Sequence, residues 1–165
     1  MSRRGTLYAI TPDEADRLLG LAGNDPAVAK EAMDLYSFER QKAHLICPLD
    51  TAWDIIHRCL TDGTHRDFGA GTTPLSWCVL GGQSLHGGKE IIVCYVTRER
   101  VEQIAATLDG IEAQWFYNRF CSIQTSLTGS TSMEDFQHAW ELFTYARNLY
   151  AKAATAGRGV VFVAD

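Results

Sequence analysis

Residues 48–82 have the sequence PLDTAWDIIHRCLTDGTHRDFGAGTTPLSWCVLGG, which joins a predicted helix, a glycine-rich loop and a short apolar segment. The helix is predicted to begin at a capping box, Thr51-Ala52-Trp53-Asp54, and to continue to about Thr61. Residues 62–89 hold seven of the fourteen glycines and are predicted to be irregular, apart from a short buried element over residues 75–80. Long loops in compact domains often carry function, so this stretch supplies the candidate site residues.

Continuous apolar runs outside this stretch predict strands over residues 7–10, 90–96 and 160–163, with 90–96 central in the sheet. Residues 44–49 are also apolar, and two interpretations stay open for them: a short strand or an extended connector.

Helix-start signals predict the remaining elements. The second predicted helix carries an apolar stripe of Val28, Ala32, Leu35 and Tyr36. A later helix is predicted over residues 112–123, with a polar loop over 125–132, and the longest helix should run to about Ala156 with Gly157 as its C-cap. The predicted starts are Thr11 with Glu14, Asp25-Pro26, Thr97, Glu112, and Ser132 with Asp135.

This order of elements predicts one α+β domain over residues 1–165, a small sheet covered by several helices with a long C-terminal helix and a final strand. The βα alternations are too few for a doubly wound fold.

Composition excludes several classes of protein. A net charge of −5 argues against a nucleic-acid partner, because phosphate binding needs a concentrated basic face. No apolar run approaches the ~20 residues that span a bilayer, and the N-terminus lacks the apolar core of a signal peptide. Five cysteines without a CxxC pair argue against disulfides and zinc. We therefore expect a cytoplasmic protein without membrane association, metal or cofactor.

Trp53, Asp54 and His57 form the most suggestive constellation. Asp54 and His57 are three residues apart and should be neighbours on one helix face, where a carboxylate raises the pKa of an imidazole and orients its ring. A metal would need a third ligand from His65, Asp67 or His86. We favour a structural role, in which Asp54 caps the helix and His57 bonds the adjacent loop. The candidate binding residues are Trp53, Asp54, His57, His65, Arg66, Asp67, Ser76 and His86.

Three other motifs carry less information. Residues 65–69, HRDFG, contain two overlapping protein-kinase motifs, HRD and DFG. In a kinase these motifs lie in separate segments, so we interpret the match as a coincidence. Residues 82–89 miss the phosphate-loop pattern, since Gly88 precedes Lys89 and Glu90 replaces the hydroxyl; we interpret them as a flexible turn into a strand. Ser76 lacks the GxSxG elbow of a hydrolase. The sequence thus contains no complete catalytic set, and we favour a protein without enzymatic activity while leaving catalysis open.

Five segments together resemble the YfbM-like family, small bacterial proteins classed as a domain of unknown function. They are GTLYAITPDEADRLL, LDTAWDIIHRCLTDG, PLSWCVLGG, YVTRERVEQIAATL and YAKAATAGRGVVFVAD, which run through essentially the whole chain. The resemblance implies a compact cytoplasmic α+β domain and carries over no activity or cofactor. The residues that match the recurring motif are Trp53, Asp54, His57, Pro74, Leu75, Ser76 and Gly81.

Two functional hypotheses follow. The first is a non-catalytic protein-binding module, such as an immunity protein that neutralises a bacterial toxin, suggested by small size, acidic charge and aromatic content. Its surface would include residues 62–89 and the acids Asp13, Asp16, Glu134 and Glu141. The alternative is a small-molecule-binding protein or modest enzyme, with a pocket formed by the Trp-Asp-x-x-His helix and the glycine-rich loop. The sequence leaves the oligomeric state open.

Overall fold

The structure, a computed structural model, describes residues 3–61, 63 and 71–165. His65, Arg66 and Asp67 lie outside the described residues, so the predictions made for these three stay untested. The described strands form one antiparallel sheet in the order β2-β1-β5-β4-β3. They are β1 (Gly5–Ile10), β2 (Ile46–Asp50), β3 (Gln83–Gly87), β4 (Ile92–Val96) and β5 (Gly159–Ala164).

Helices cover both faces of this sheet. Because side chains alternate along a strand, Phe162 of β5 faces one layer, and its neighbour Val161 faces the other. The larger core lies against α4–α7, and a smaller one lies against α1 and α2. The helices are α1 (Pro12–Gly20), α2 (Asp25–Met33), α3 (Phe38–Lys42), α4 (Trp53–Leu60), α5 (Arg98–Asp109), α6 (Ala113–Thr128) and α7 (Met133–Thr155). The α+β prediction, with its long C-terminal helix and final strand, is confirmed.

The predicted flexible turn at residues 82–89 is wrong. Residues Gln83–Gly87 form β3, an edge strand paired antiparallel with β4, and the register shifts between Ser84 and His86. Only Leu85 of this strand is buried, because an edge strand with one solvated face needs no apolar run. The segment at residues 44–49 is the strand β2 rather than a connector. The short element predicted after the glycine-rich loop is a 3-10 turn at Leu75–Trp77.

Most helix starts are confirmed by their caps. Thr11 and Glu14 form the capping box of α1, and the side chains of Thr97 and Ser132 accept backbone N–H bonds at the starts of α5 and α7. Burial would raise the pKa of Glu14, but hydrogen bonds from Thr11 and Arg40 outweigh it and lower that pKa. α6 continues to Thr128, so the first half of the predicted polar loop, residues 125–128, is helical, and the helix ends at Gly129 in the left-handed conformation.

The predicted capping box of α4 is wrong. Ala52 occupies the cap position without a side-chain bond, since the amide of Ala52 donates to the carbonyl of Leu49 and places Thr51 in a tight turn. Asp54 does not cap the helix; it pairs with Arg58, with Nε and Oδ1 3.2 Å apart. α4 therefore begins without the side-chain capping hydrogen bond that the sequence predicted.

No helix in the described ranges is both long and apolar enough to span a membrane.

Candidate functional site

Helix α4 separates the residues of the Trp-Asp-x-x-His motif. The side chains of Trp53 and His57 lie in the core, with 2% and 0% of each residue exposed. Asp54 lies on the outer, partly solvated side, where it pairs with Arg58. The motif thus places an aromatic ring and an imidazole inside the fold and one carboxylate outside.

Trp53 links α4 to the N-terminal segment through a hydrogen bond and packs against β5. Its indole N–H donates to the carbonyl of Arg3 over 2.9 Å, and its ring centroid lies 5.3 Å from that of Phe162. A Cβ at Gly5 would meet both rings at 2.7 Å, so this glycine makes room for the contact. Trp53 therefore has a structural role that accounts for its place in the motif.

The remaining predicted site residues are distributed over separate elements. The backbone carbonyl of His57 accepts a hydrogen bond from the hydroxyl of Thr61 at 2.9 Å. Ser76 is buried in the 3-10 turn. His86 is half-buried on β3, where its Nδ1 accepts the amide N–H of Gly88 at 3.0 Å.

The PLSWCVLGG segment is held by close backbone contacts. The hydroxyl of Tyr150 donates to the carbonyl of Cys78 at 2.6 Å inside the core. A Cβ at Gly81 would stand 1.8 Å from the carbonyl oxygen of Ser76, and one at Gly82 would stand 2.5 Å from that of Tyr95. These glycines are required by packing, which accounts for the Gly-Gly pair without a ligand.

The cysteines are free, and four of them are buried. Burial raises the pKa of Cys47, Cys59, Cys78 and Cys94 to about 12, so these thiols stay protonated and unreactive at neutral pH. No group of three or more His, Cys, Asp and Glu side chains among the described residues is arranged to hold a metal ion.

An open cleft of about 320 Å³ lies between α4, α6 and α7, and we call it the α4–α6–α7 cleft. Asp54 and Arg58 line it from α4, and Asp135 and His138 line it from α7. Of these four residues, only Asp54 was predicted to be a binding residue, and Asp135 was predicted only to be part of a helix start. The spacing of Asp135 and His138, three residues apart on one helix, was the available signal for the other wall. The rest of the lining is Thr51, Ala52, Ile55, Phe120, Gln124, Leu127 and Ala139.

A second surface feature lies between α2 and α3. Met33, Tyr36 and Phe38 are exposed by 55%, 57% and 60%, and we call these three residues the α2–α3 patch. Tyr36 was predicted to be part of the buried stripe, but α2 ends at Met33 and the chain leaves its helical path before Tyr36. The hydroxyl of Tyr36 bonds Gln41 at 2.8 Å, and the ammonium of Lys42 lies 4.5 Å from the Phe38 ring centre. The two rings are therefore held in place at the surface.

The net charge arises in the chain segment that contains this patch, and two cations, Arg40 and Lys42, follow directly after that segment. Residues 13–39 contain seven acidic and two basic residues, which account for the whole net charge of −5. The rest of the chain contains thirteen of each sign and is balanced. The layer of α1, α2 and the start of α3 is thus the acidic part of the protein.

Comparisons with known proteins identify the fold. A family model described as Domain of unknown function (DUF1877) matches residues 1–163. The crystal structure of YfbM from Escherichia coli, a protein of unknown function, is similar with a TM-score of 0.68 and 16% identity, over 98% of this chain and 99% of that one. A sequence search of the curated proteins finds no match.

Proposed function

Since the chain belongs to the YfbM-like DUF1877 family, a domain of unknown function, we propose its role from its own surface: it is a non-catalytic protein-binding module that docks through the α2–α3 patch.

The observation that carries this proposal is the concentration of exposed apolar side chains. Of the seven large exposed hydrophobic side chains among the described residues, three lie within six consecutive positions. Aromatic residues and Met are enriched in protein interfaces, where a few of them contribute most of the affinity. Tyr36 and Phe38 are already ordered by Gln41 and Lys42, so docking loses little side-chain entropy.

The acidic surroundings specify the charge of the partner. Asp34 and Glu39 flank the patch, and Asp13 and Asp16 on α1 belong to the same acidic layer. Complementary charge steers association and excludes partners of like charge. The partner is a protein with a basic face around an apolar pocket.

Docking uses side chains rather than strand addition at β2. The amide of Ala9 donates to the carbonyl of Leu45, so the backbone N–H and C=O of Leu45 face β1. In an antiparallel pair the backbone groups of every second residue point to the partner strand, so the backbone groups of the residues in between point to the open edge of the sheet. Pro48 falls at an outward position, where it offers no N–H to an added strand.

One form of this role is that of an immunity protein that neutralises a bacterial toxin in the cytoplasm. A toxin that attacks nucleic acid needs a basic surface for phosphate, and the acidic layer complements such a surface. The free cysteines agree with a reducing compartment. Small-molecule binding is a second candidate function, favoured by a separate observation, the α4–α6–α7 cleft beside Asp54.

The test is affinity capture of the tagged protein from a lysate of its own organism. The wild type is compared with a Tyr36→Ser, Phe38→Ser variant and with Tyr145→Ser, which removes an exposed aromatic ring outside both the patch and the α4–α6–α7 cleft. We expect one stoichiometric basic protein bound to the wild type and to Tyr145→Ser, released by high salt, and lost from the patch variant. Equal capture by all three proteins, or no stoichiometric partner, contradicts the proposal.

A further inference from the structure

We propose that the α4–α6–α7 cleft binds a small zwitterionic ligand of the amino-acid class with an aliphatic side chain. This site is separate from the α2–α3 patch: it is built from α4, α6 and α7, whereas the patch lies between α2 and α3. The two proposals therefore stand or fall independently.

The first argument is the arrangement of charge. The α4 wall carries the Asp54–Arg58 ion pair, and the α7 wall carries the carboxylate of Asp135 and the imidazole of His138. A ligand that is only an anion meets the carboxylate of Asp135, and a ligand that is only a cation meets the guanidinium of Arg58. A ligand with both an ammonium and a carboxylate can place its ammonium at Asp135 and its carboxylate at Arg58, where each end forms charge-assisted hydrogen bonds.

The α7 wall also presents its polar groups to the cleft. Asp135 and His138 are exposed and, within the described part of the chain, no hydrogen bond or ion pair engages their side chains. On α4, the Asp54–Arg58 pair is largely covered, with 25% and 13% of the side chains exposed. A carboxylate and a guanidinium held in this way are preorganised, so little side-chain freedom is lost when a ligand binds.

The second argument is the apolar lining and the size. Ile55 and Leu127 contribute most of the apolar surface between the charged walls, above the buried side chains of Phe120 and Ala139, and Gln124 adds one amide. A volume of about 320 Å³ is near the lower end of ligand pockets, which favours a small metabolite over a nucleotide. A branched aliphatic side chain fits this mixture of a few polar groups around apolar contacts.

A metal ion is not the preferred occupant. Asp54, Asp135 and His138 do not form a metal-binding group in the described structure. The guanidinium of Arg58, 3.2 Å from Asp54, also competes with a cation for that carboxylate.

The experiment titrates the full chain with L-leucine and two matched analogues. The analogue 3-methylbutylamine lacks the carboxylate, and 4-methylpentanoate lacks the ammonium. Binding is measured by calorimetry and by the NMR shift of the Gln124 side-chain amide. We expect leucine to bind at least about tenfold tighter than either analogue, the loss expected for one charge-assisted hydrogen bond.

Asp135→Asn should weaken leucine binding by about tenfold, because it removes one counter-charge while keeping the shape of the residue. Glu134→Gln is the matched control: it removes a charge from the same helical turn but does not line the cleft, and its affinity should equal that of the wild type. Equal binding of leucine and the amine, equal loss in both variants, or no leucine binding at millimolar concentration overturns the proposal. Because no probe touches the α2–α3 patch, such a failure leaves the protein-binding proposal standing.

Discussion

Replacement of Gly81 by alanine should destabilise the protein severely. The added Cβ would lie 1.8 Å from the carbonyl oxygen of Ser76, 2.5 Å from its carbonyl carbon and 2.9 Å from the amide nitrogen of Trp77. Ordinary contact for a Cβ begins near 3.4 Å, so the two backbone segments must separate by about 1.6 Å. All three atoms belong to the backbone, and no side-chain rotation relieves the clash.

The magnitude follows from what such a shift disturbs. Overpacking by a methyl group against movable side chains costs about 1–3 kcal/mol. Here the 3-10 turn itself must move, together with the Cys78 carbonyl that accepts the Tyr150 hydroxyl. We therefore expect a loss of about 3 kcal/mol or more in the free energy of unfolding.

Urea unfolding monitored by tryptophan fluorescence measures this loss. With a slope of about 2 kcal/mol per M, the midpoint should fall by about 1.5 M or more. Gly20→Ala is the control, because a Cβ there meets nothing within 4 Å and the residue ends α1. It should be neutral or stabilising by up to ~1 kcal/mol. If both variants unfold at the wild-type midpoint, the packing explanation of the Gly-Gly pair is wrong.

Three further predictions concern the core, the thiols and the first helix. Trp53→Phe keeps an aromatic ring but removes the donor to the Arg3 carbonyl, and should lower the free energy of unfolding in urea by about 1–3 kcal/mol. An unchanged urea midpoint would refute the structural role of Trp53. A thiol reagent at pH 8 should label only Cys121 in the native protein, because the other four thiols are buried and their pKa values are raised to about 12. The same reagent should label all five cysteines after denaturation. Folding lowers the pKa of Glu14, so the ionised Glu14 side chain stabilises the protein above pH 4.5, and this stabilisation is lost as the pH falls through the folded-state pKa. Glu14→Gln should remove this pH dependence, which acid-unfolding curves of the two proteins would measure.

Local chemistry was enough to predict most of the elements. Strands β1, β4 and β5 lie inside the sheet and are covered by helices on both faces, so their sequences are continuous apolar runs. The starts of α1, α5 and α7 depend on a cap and the residues just after it, which the sequence displays directly. Elements of this kind are encoded within a few residues.

The missed features depend on partners that are distant in sequence. Strand β3 is polar and becomes a strand only because β4 pairs with it. The cap of α4 is displaced by the preceding turn at Leu49, and Tyr36 is exposed because α2 ends early. These outcomes follow from tertiary structure and leave no periodic signal.

The same reasoning applies to the site. Asp54 was identified from its own helix, but Asp135 and His138 reach the opposite wall of the cleft from a helix about eighty residues further on. The spacing of Asp54 and His57 suggested one polar helix face, whereas the side chain of His57 lies in the core. Spacing alone does not distinguish a residue that packs from one that meets solvent.

The most direct test of the docking surface is amide hydrogen exchange measured with and without the captured partner. The account predicts that the partner slows exchange in residues 31–42, which contain the α2–α3 patch, and leaves residues 53–60 and 133–139 unchanged. Slowed exchange confined to the α4 and α7 segments, with the patch unaffected, would contradict it and move the protein-binding surface to the cleft.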